Sequence, residues 1–210
     1  MDHERNNPGN LLLIDDDRLV LVSTARGLAS YGYHVEAAES VDEAEIILSR
    51  GDHFDLAVID VNMPGKNGLY LAERLGSIDR VPFIFLSAYN EASFVEQAKT
   101  LGALSYVTKP IDAQKLVPII ESALSQAAQL KRLKESEAKL QAALDGERII
   151  SAAIGIAMVH FRLSRREAFE LLRNAARKQR RKLSEVASDF IDAVETINLQ
   201  RPAAEFKPAI

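Results

Sequence analysis

None of the 210 residues is a cysteine, which excludes disulfides, thiolate catalysis and cysteine-based zinc sites and accords with a reducing cytosol. No run of about 18 apolar residues occurs, so no membrane-spanning helix is expected. Residues 1 to 10 are polar and no long apolar segment follows them, so no signal peptide is expected and the chain reads as cytoplasmic. What is present is the balance of a folded globular protein, with 47% hydrophobic and 27% charged residues, rather than of a disordered one. The length suits one large domain or two small ones.

A net charge of -4 says little, but its distribution is uneven. Residues 11 to 120 carry 9 Lys or Arg against 16 Asp or Glu, whereas Arg162 to Lys182 carry 9 Lys or Arg against only Glu167 and Glu170. An acidic front and a basic segment behind predict two domains with different partners. An ordinary solvated helix face is the alternative for the basic segment.

In the front half, short apolar runs alternate with amphipathic stretches. Strands are predicted at 11–14, 35–37, 55–60, 82–87 and 104–107. Helices are predicted at 18–32, 41–50, 67–76 and 91–101, with a last one beginning near Asp112. Such alternation implies a parallel sheet covered on both faces, with ligands at the carboxyl ends of its strands. Polar residues fall in those places. Asp15 and Asp16 follow the first strand, Asp60 closes the third, Ser87 the fourth, and Lys109, before Pro110, the fifth.

Converging carboxylates repel one another unless a cation neutralises them, and a hard oxygen-seeking ion such as Mg2+ suits them. Asp16 and Asp60 would ligate directly, Asp15 would hold a metal-bound water, and a backbone carbonyl near Asn62 would complete the set. Asp60 is then the candidate nucleophile for a phosphoryl group, Lys109 the counter-charge for its oxygens, and Ser87 a hydroxyl partner. Asp17 reads as a helix-start residue, and MPGKNG (63–68) as a tight loop before a helix.

The segments LLLIDDD (11–17), VIDVNMPGKNG (58–68), FLSA (85–88) and YVTKP (106–110) resemble the receiver domain of two-component response regulators. The resemblance implies an α/β fold with a flavodoxin-like five-stranded parallel sheet over 8–122. It also implies Mg2+, phosphorylation of Asp60 by a partner histidine kinase, and a switch pair of Ser87 and Tyr106. Read from the residues alone, Tyr106 is a half-buried strand residue.

Residues 112–147 read as one long helix. Leu116, Ala123, Leu130, Leu133, Leu140 and Leu144 follow a heptad pattern that Gln126 and Glu137 interrupt. The helical linker at 123–146 is thus a weak coiled coil through which the chain would form a homodimer, or a stripe packed on its own protein. Asp145 and Gly146 are placed to soften it.

A small three-helix domain is predicted over 147–198. Its first helix carries the small residues Ala153 and Gly155, which suit close helix approach. The second has a capping box at Ser164 and Glu167, with Ala168, Leu171, Leu172 and Ala175 facing inward. The third buries Val186, Ala187, Phe190, Ile191 and Val194, with Ser184 as its cap. Residues 199–210 read as a disordered tail. The cations Arg162, Arg165, Arg166, Arg173, Arg177, Lys178, Arg180, Arg181 and Lys182 suit phosphates but do not choose DNA or RNA.

This half resembles the ANTAR domain, the RNA-binding output of the AmiR and NasR antitermination regulators. The matching positions are Ala153, Gly155, Met158, Ala168, Leu172, Arg173, Ala175, Leu183, Val186 and Ala187. The family often has lysine where Ile154 stands, glycine where Arg162 stands, and a basic residue where Glu147 stands. The resemblance implies binding to paired RNA hairpins in nascent transcripts, and among the cations Arg173, Arg177, Arg180, Arg181 and Lys182 are the contact candidates. A receiver-gated DNA-binding regulator and a protein-interaction module are the rival readings. An independent enzyme is not expected, since His160 stands alone.

Overall fold

The structure, a computed structural model, describes residues 8–88 and 92–199. The tail expected to be disordered beyond Leu199 lies outside the described residues. The chain divides into two compact units, Met1–Arg132 and Leu133–Ile210.

The first unit alternates strand and helix: β1 (Asn10–Ile14), α1 (Arg18–Ser30), β2 (His34–Ala38), α2 (Val41–Ser49), β3 (Leu56–Asp60), α3 (Gly68–Arg74), β4 (Phe83–Ser87), α4 (Ala92–Thr100), β5 (Ser105–Thr108) and the start of α5 (Ala113–Phe161). The five strands form a parallel sheet in the order β2-β1-β3-β4-β5. Every residue of β3 and β4 is buried, because helices cover both faces. Leu12, Ile14, Ala57, Ile59, Phe83 and Phe85 pack with α2 and α3 on one face. Leu11, Leu13, Leu56, Val58, Ile84 and Leu86 pack with α1 and α5 on the other. This odd–even split follows from the two-residue period of a strand.

Local chemistry sets the element ends. Asp17 caps α1, accepting from the backbone N–H groups of Leu19 and Val20. Ser40 and Asn67 cap α2 and α3. Gly32 turns the chain after α1 with φ +94°, a conformation costly for other residues. The expected helix over 67–76 is α3 followed by a wide π-type turn at Leu75–Asp79, closed by Arg80 in the left-handed region.

Helix α5 is 49 residues long and runs without a break through Asp145 and Gly146, contrary to the expected softening there. Asp145 instead accepts from Gln141 and pairs with Arg148 as a helix-surface residue. The heptad stripe splits in two. Leu116 and Ala123 are buried against the sheet, whereas Leu130, Leu133, Leu140 and Leu144 are exposed.

In the second unit, the end of α5 packs with α6 (Arg165–Gln179) and α7 (Leu183–Leu199). Ala153, Ala157, Ala168 and Ala187 are fully buried and let the helices approach closely. Gly155 does not share that role: it is exposed, and a Cβ there would meet nothing. The Ser164–Glu167 capping box is formed as expected. Two details of the helix faces differ. Leu171 is exposed and Ala176 is buried, because the inward stripe steps 168, 172, 176 in fours. Ser184 lies in the first turn of α7 rather than at its cap. Arg162 and Arg180, in the turns on either side of α6, both take left-handed backbone, with φ +56° and +54°.

Candidate functional site

Sheet register brings the polar strand ends together. Ile14 pairs with Ile59, so Asp15 and Asp60 emerge side by side at one edge. Asp60 pairs with Leu86, and Ser87 with Thr108, so Ser87 and Lys109 follow at the same edge.

Lys109 is the centre of the arrangement. Its ammonium donates to Asp15 Oδ2 at 2.6 Å and to Asp60 Oδ2 at 2.7 Å. Its own N–H donates to the Ser87 carbonyl at 2.8 Å, which anchors the lysine backbone to the end of β4. The peptide joining it to Pro110 is cis. Burial acts against the Lys109 charge, but the hydrogen bonds to the two carboxylates outweigh it and hold the pKa above the usual lysine value. Burial pushes the Asp15 carboxyl above its ordinary range, although Lys109 pulls it down.

The remaining carboxylate contacts orient the acids. Asp15 Oδ1 accepts from the Asp17 N–H at 3.0 Å, and Asp60 Oδ1 accepts from the Asn62 N–H at 3.2 Å. Asp15 and Asp60 are buried, while Asp16 faces solvent. One ligand oxygen from each of Asp15, Asp16 and Asp60 lies within 4.8 Å of the others. That all-oxygen donor set is the chemistry a hard divalent cation takes. Asp17 stays out of this group and spends its carboxylate on the start of α1.

Ser87 is fully buried at the end of β4. Tyr106, in β5, is half-buried against the cluster that holds Phe85 and Ala98.

Two contributions were not assigned from the sequence. The first is Gly68. A side chain there would fall inside contact distance of the Asp60 carbonyl oxygen, so only glycine lets α3 start this close to the end of β3. Its place eight residues after the acid in a Pro/Gly-rich loop marked a turn but not this approach. The second is Lys66, whose ammonium lies 2.8 Å from both Asp42 and Glu45 of α2. Arg74 continues the chain of charges to Glu45 and Asp79 at 3.1 Å. Together these ion pairs strap the loop after Asp60 to α2. Alternating charge across separate elements is not visible in a linear sequence.

The basic segment of the second unit is not uniform. Arg173 pairs with Glu170 at 2.9 Å. Arg181 pairs with Asp189 at 2.6 Å and with Glu185 at 3.5 Å. Arg177, Arg180 and Lys182 form no ion pair with a described residue, nor do Arg162, Arg165, Arg166 and Lys178. His160 is exposed and stacks edge-on against Phe161. No helix among the described residues is long and apolar enough to cross a membrane.

Known proteins resemble both parts of the chain. Residues 11–121 match the family model for the response regulator receiver domain, and residues 138–191 match that for the ANTAR domain. The transcriptional regulatory protein PdtaR of Mycobacterium tuberculosis is 26% identical over 90% of this chain and 92% of its own length. The chemotaxis protein CheY of Treponema pallidum is 31% identical over 56% of this chain and 83% of its own. Among solved structures, a CheY-like receiver domain protein from Methanospirillum hungatei superposes with a TM-score of 0.53 at 26% identity, covering 57% of this chain and 96% of that one.

Proposed function

The chain belongs to the response regulators, with a receiver domain in front and an ANTAR domain behind, and from that premise we propose that phosphorylation of Asp60 governs RNA binding by the second unit. The observation that carries this reading is the Lys109 ammonium held between Asp15 and Asp60, with a third carboxylate beside them.

A sensor histidine kinase is the donor. An Asp60 carboxylate oxygen attacks phosphorus as the donor's P–N bond breaks, leaving an acyl phosphate on Asp60 and the freed imidazole to take a proton. Lys109 already sits on the carboxylate and transfers its hydrogen bond to a phosphoryl oxygen. Asp15, Asp16 and Asp60, with the carbonyl of Asn62, fit Mg2+, which when bound offsets the phosphoryl charge. Ser87, at the end of the neighbouring strand, takes a hydrogen bond role toward the phosphoryl group, and Tyr106 reports that change on the β5 side.

The receiver unit runs to about residue 122, the linker over 123–146 and the output unit over 147–198. The exposed leucines of α5 pair two copies of the chain. The output unit then binds paired hairpins in nascent transcripts and prevents terminator formation in the cytoplasm. Arg177, Arg180 and Lys182, which form no ion pair with a described residue, are its contact candidates, and Arg173 and Arg181 stand in ion pairs beside them. The protein acts as a regulator rather than as an independent enzyme.

The test is RNA binding by the full chain to a two-hairpin leader RNA, with and without a small phosphoryl donor and Mg2+. Binding that responds to the donor in the wild type and ceases to respond in Asp60→Ala supports the reading. Binding that ignores the donor leaves a constitutive RNA binder, and absence of binding favours a protein partner.

A further inference from the structure

Given the RNA binding proposed above, the faces of α6 decide which cations of the second unit meet phosphate. The inward face of α6 is given by Ala168, Leu172 and Ala176, all buried. Measured from that face, Arg166, Arg173 and Arg177 fall on a single flank, within roughly 40° of one another around the axis. Lys178 and the exposed Leu171 fall on the opposite flank. The three arginines are spaced along the helix by about 10 Å and about 6 Å.

The stripe includes an acid. Glu170 lies on the same flank and holds the Arg173 guanidinium at 2.9 Å, with both side chains near half exposed at 44% and 43%. Glu170 occupies one nitrogen of the Arg173 guanidinium and offsets its charge, so it competes with a phosphate that approaches Arg173. Arg181 is engaged differently. It reaches from the end of α6 to Asp189 and Glu185 of α7, and these two acids raise its pKa. Its charge is already matched within the unit and fastens the turn after α6 to α7.

We propose that Arg166, Arg173 and Arg177 form one phosphate-contacting stripe along α6, that Glu170 competes with RNA for Arg173, and that Arg181 holds α6 to α7 instead of contacting RNA. Arg166 lies about three turns before the densest part of the basic run, at 177–182, and is not singled out by charge density.

The salt dependence of binding tests this, because each phosphate contact contributes to the slope of log affinity against log salt whatever the RNA sequence. Anisotropy titrations of the full chain with a labelled RNA of two tandem hairpins are run over a range of salt concentrations. Arg166→Gln and Arg177→Gln each lower the slope by roughly 0.7 to 0.9 per copy of the chain bound, while Arg166→Lys keeps it. Glu170→Gln tightens binding by roughly two- to fivefold, as expected for release of an exposed ion pair. Arg181→Gln keeps the wild-type slope. A wild-type slope in Arg166→Gln, or an Arg181→Gln loss equal to that of Arg177→Gln, overturns the stripe while leaving RNA binding intact. A wild-type chain that binds no RNA removes the reading beneath it.

Discussion

Lys109 and Asp60 meet at 2.7 Å although their strands are not neighbours: β4 lies between β3 and β5, and the lysine reaches across its end. The same ammonium holds Asp15 at 2.6 Å. Two buried carboxylates therefore depend on one cation. Lys109→Gln is expected to cost about 3–5 kcal/mol without divalent ions, since it leaves both acids without their cation. Added Mg2+ is expected to restore part of that loss by binding only the folded chain. Urea melts with and without Mg2+ measure both effects.

Gly65, in the loop after Asp60, and Gly68, the first residue of α3, sit three residues apart and are expected to respond differently to alanine. Gly65 has φ +84° and open space around it, so Gly65→Ala meets only backbone strain, on the order of 1 kcal/mol. Gly68→Ala drives a methyl group into the Asp60 carbonyl and must displace the proposed phosphoacceptor. Its stability loss is expected to be about 1–3 kcal/mol, and labelling by a small phosphoryl donor is expected to fall sharply. Equal labelling in the two variants would show that the close approach does not matter.

The strap of Lys66, Glu45 and Arg74 has a pH signature. Hydrogen bonds from Lys66, then from Arg74, outweigh burial and lower the Glu45 pKa from its ordinary 4.5. A carboxylate with a lowered folded-state pKa contributes stability that is present above pH 4.5 and lost as pH falls through the lower folded value. The wild type is thus expected to lose stability on acidification more steeply below that point than Glu45→Gln. Parallel acid titrations of the two by circular dichroism compare the slopes.

Much of this site was legible because strand ends in a parallel sheet are also where an apolar run stops. Asp15, Asp60, Ser87 and Lys109 each mark such a stop, so the sequence pattern and the site coincide. The shortfalls share one cause, which is that periodicity gives the spacing of a helical stripe more reliably than its phase. Leu171 fits an inward stripe by residue type, yet Ala176 takes the inward position because the stripe advances in fours. Leu116 and Ala123 fit a heptad with Leu130, yet the sheet claims them first. Gly155 is small where close packing was expected, but Ala153 and Ala157 face the core instead.

Arg162 closes the turn between α5 and α6 with φ +56°, in a region where a Cβ is unfavourable and glycine is not. It is exposed and forms no ion pair with a described residue. Arg162→Gly is expected to stabilise the second unit by roughly 0.5–1 kcal/mol, the strain relieved being partly offset by greater freedom of the unfolded chain. Thermal melts of the full chain measure it, and a lowered midpoint would show that the arginine makes a contribution its backbone does not reveal.

The exposed part of α5 bears on how two copies would pair. Leu130, Leu133, Leu140 and Leu144 are 49%, 66%, 63% and 44% exposed, which is costly for four leucines on one stripe unless something covers them. Their heptad spacing suits the same stripe on a second, parallel copy. Glu137 occupies a core position in that register, where it would face Glu137 of the second copy. Two outcomes follow for sedimentation equilibrium of the full chain. Leu133→Glu with Leu140→Glu is expected to give monomers, because it adds like charges at two further core layers. Glu137→Leu is expected to tighten association, because it removes a charge repulsion and extends the apolar seam. A monomeric wild type that stays monomeric in Glu137→Leu would assign the stripe to some other partner.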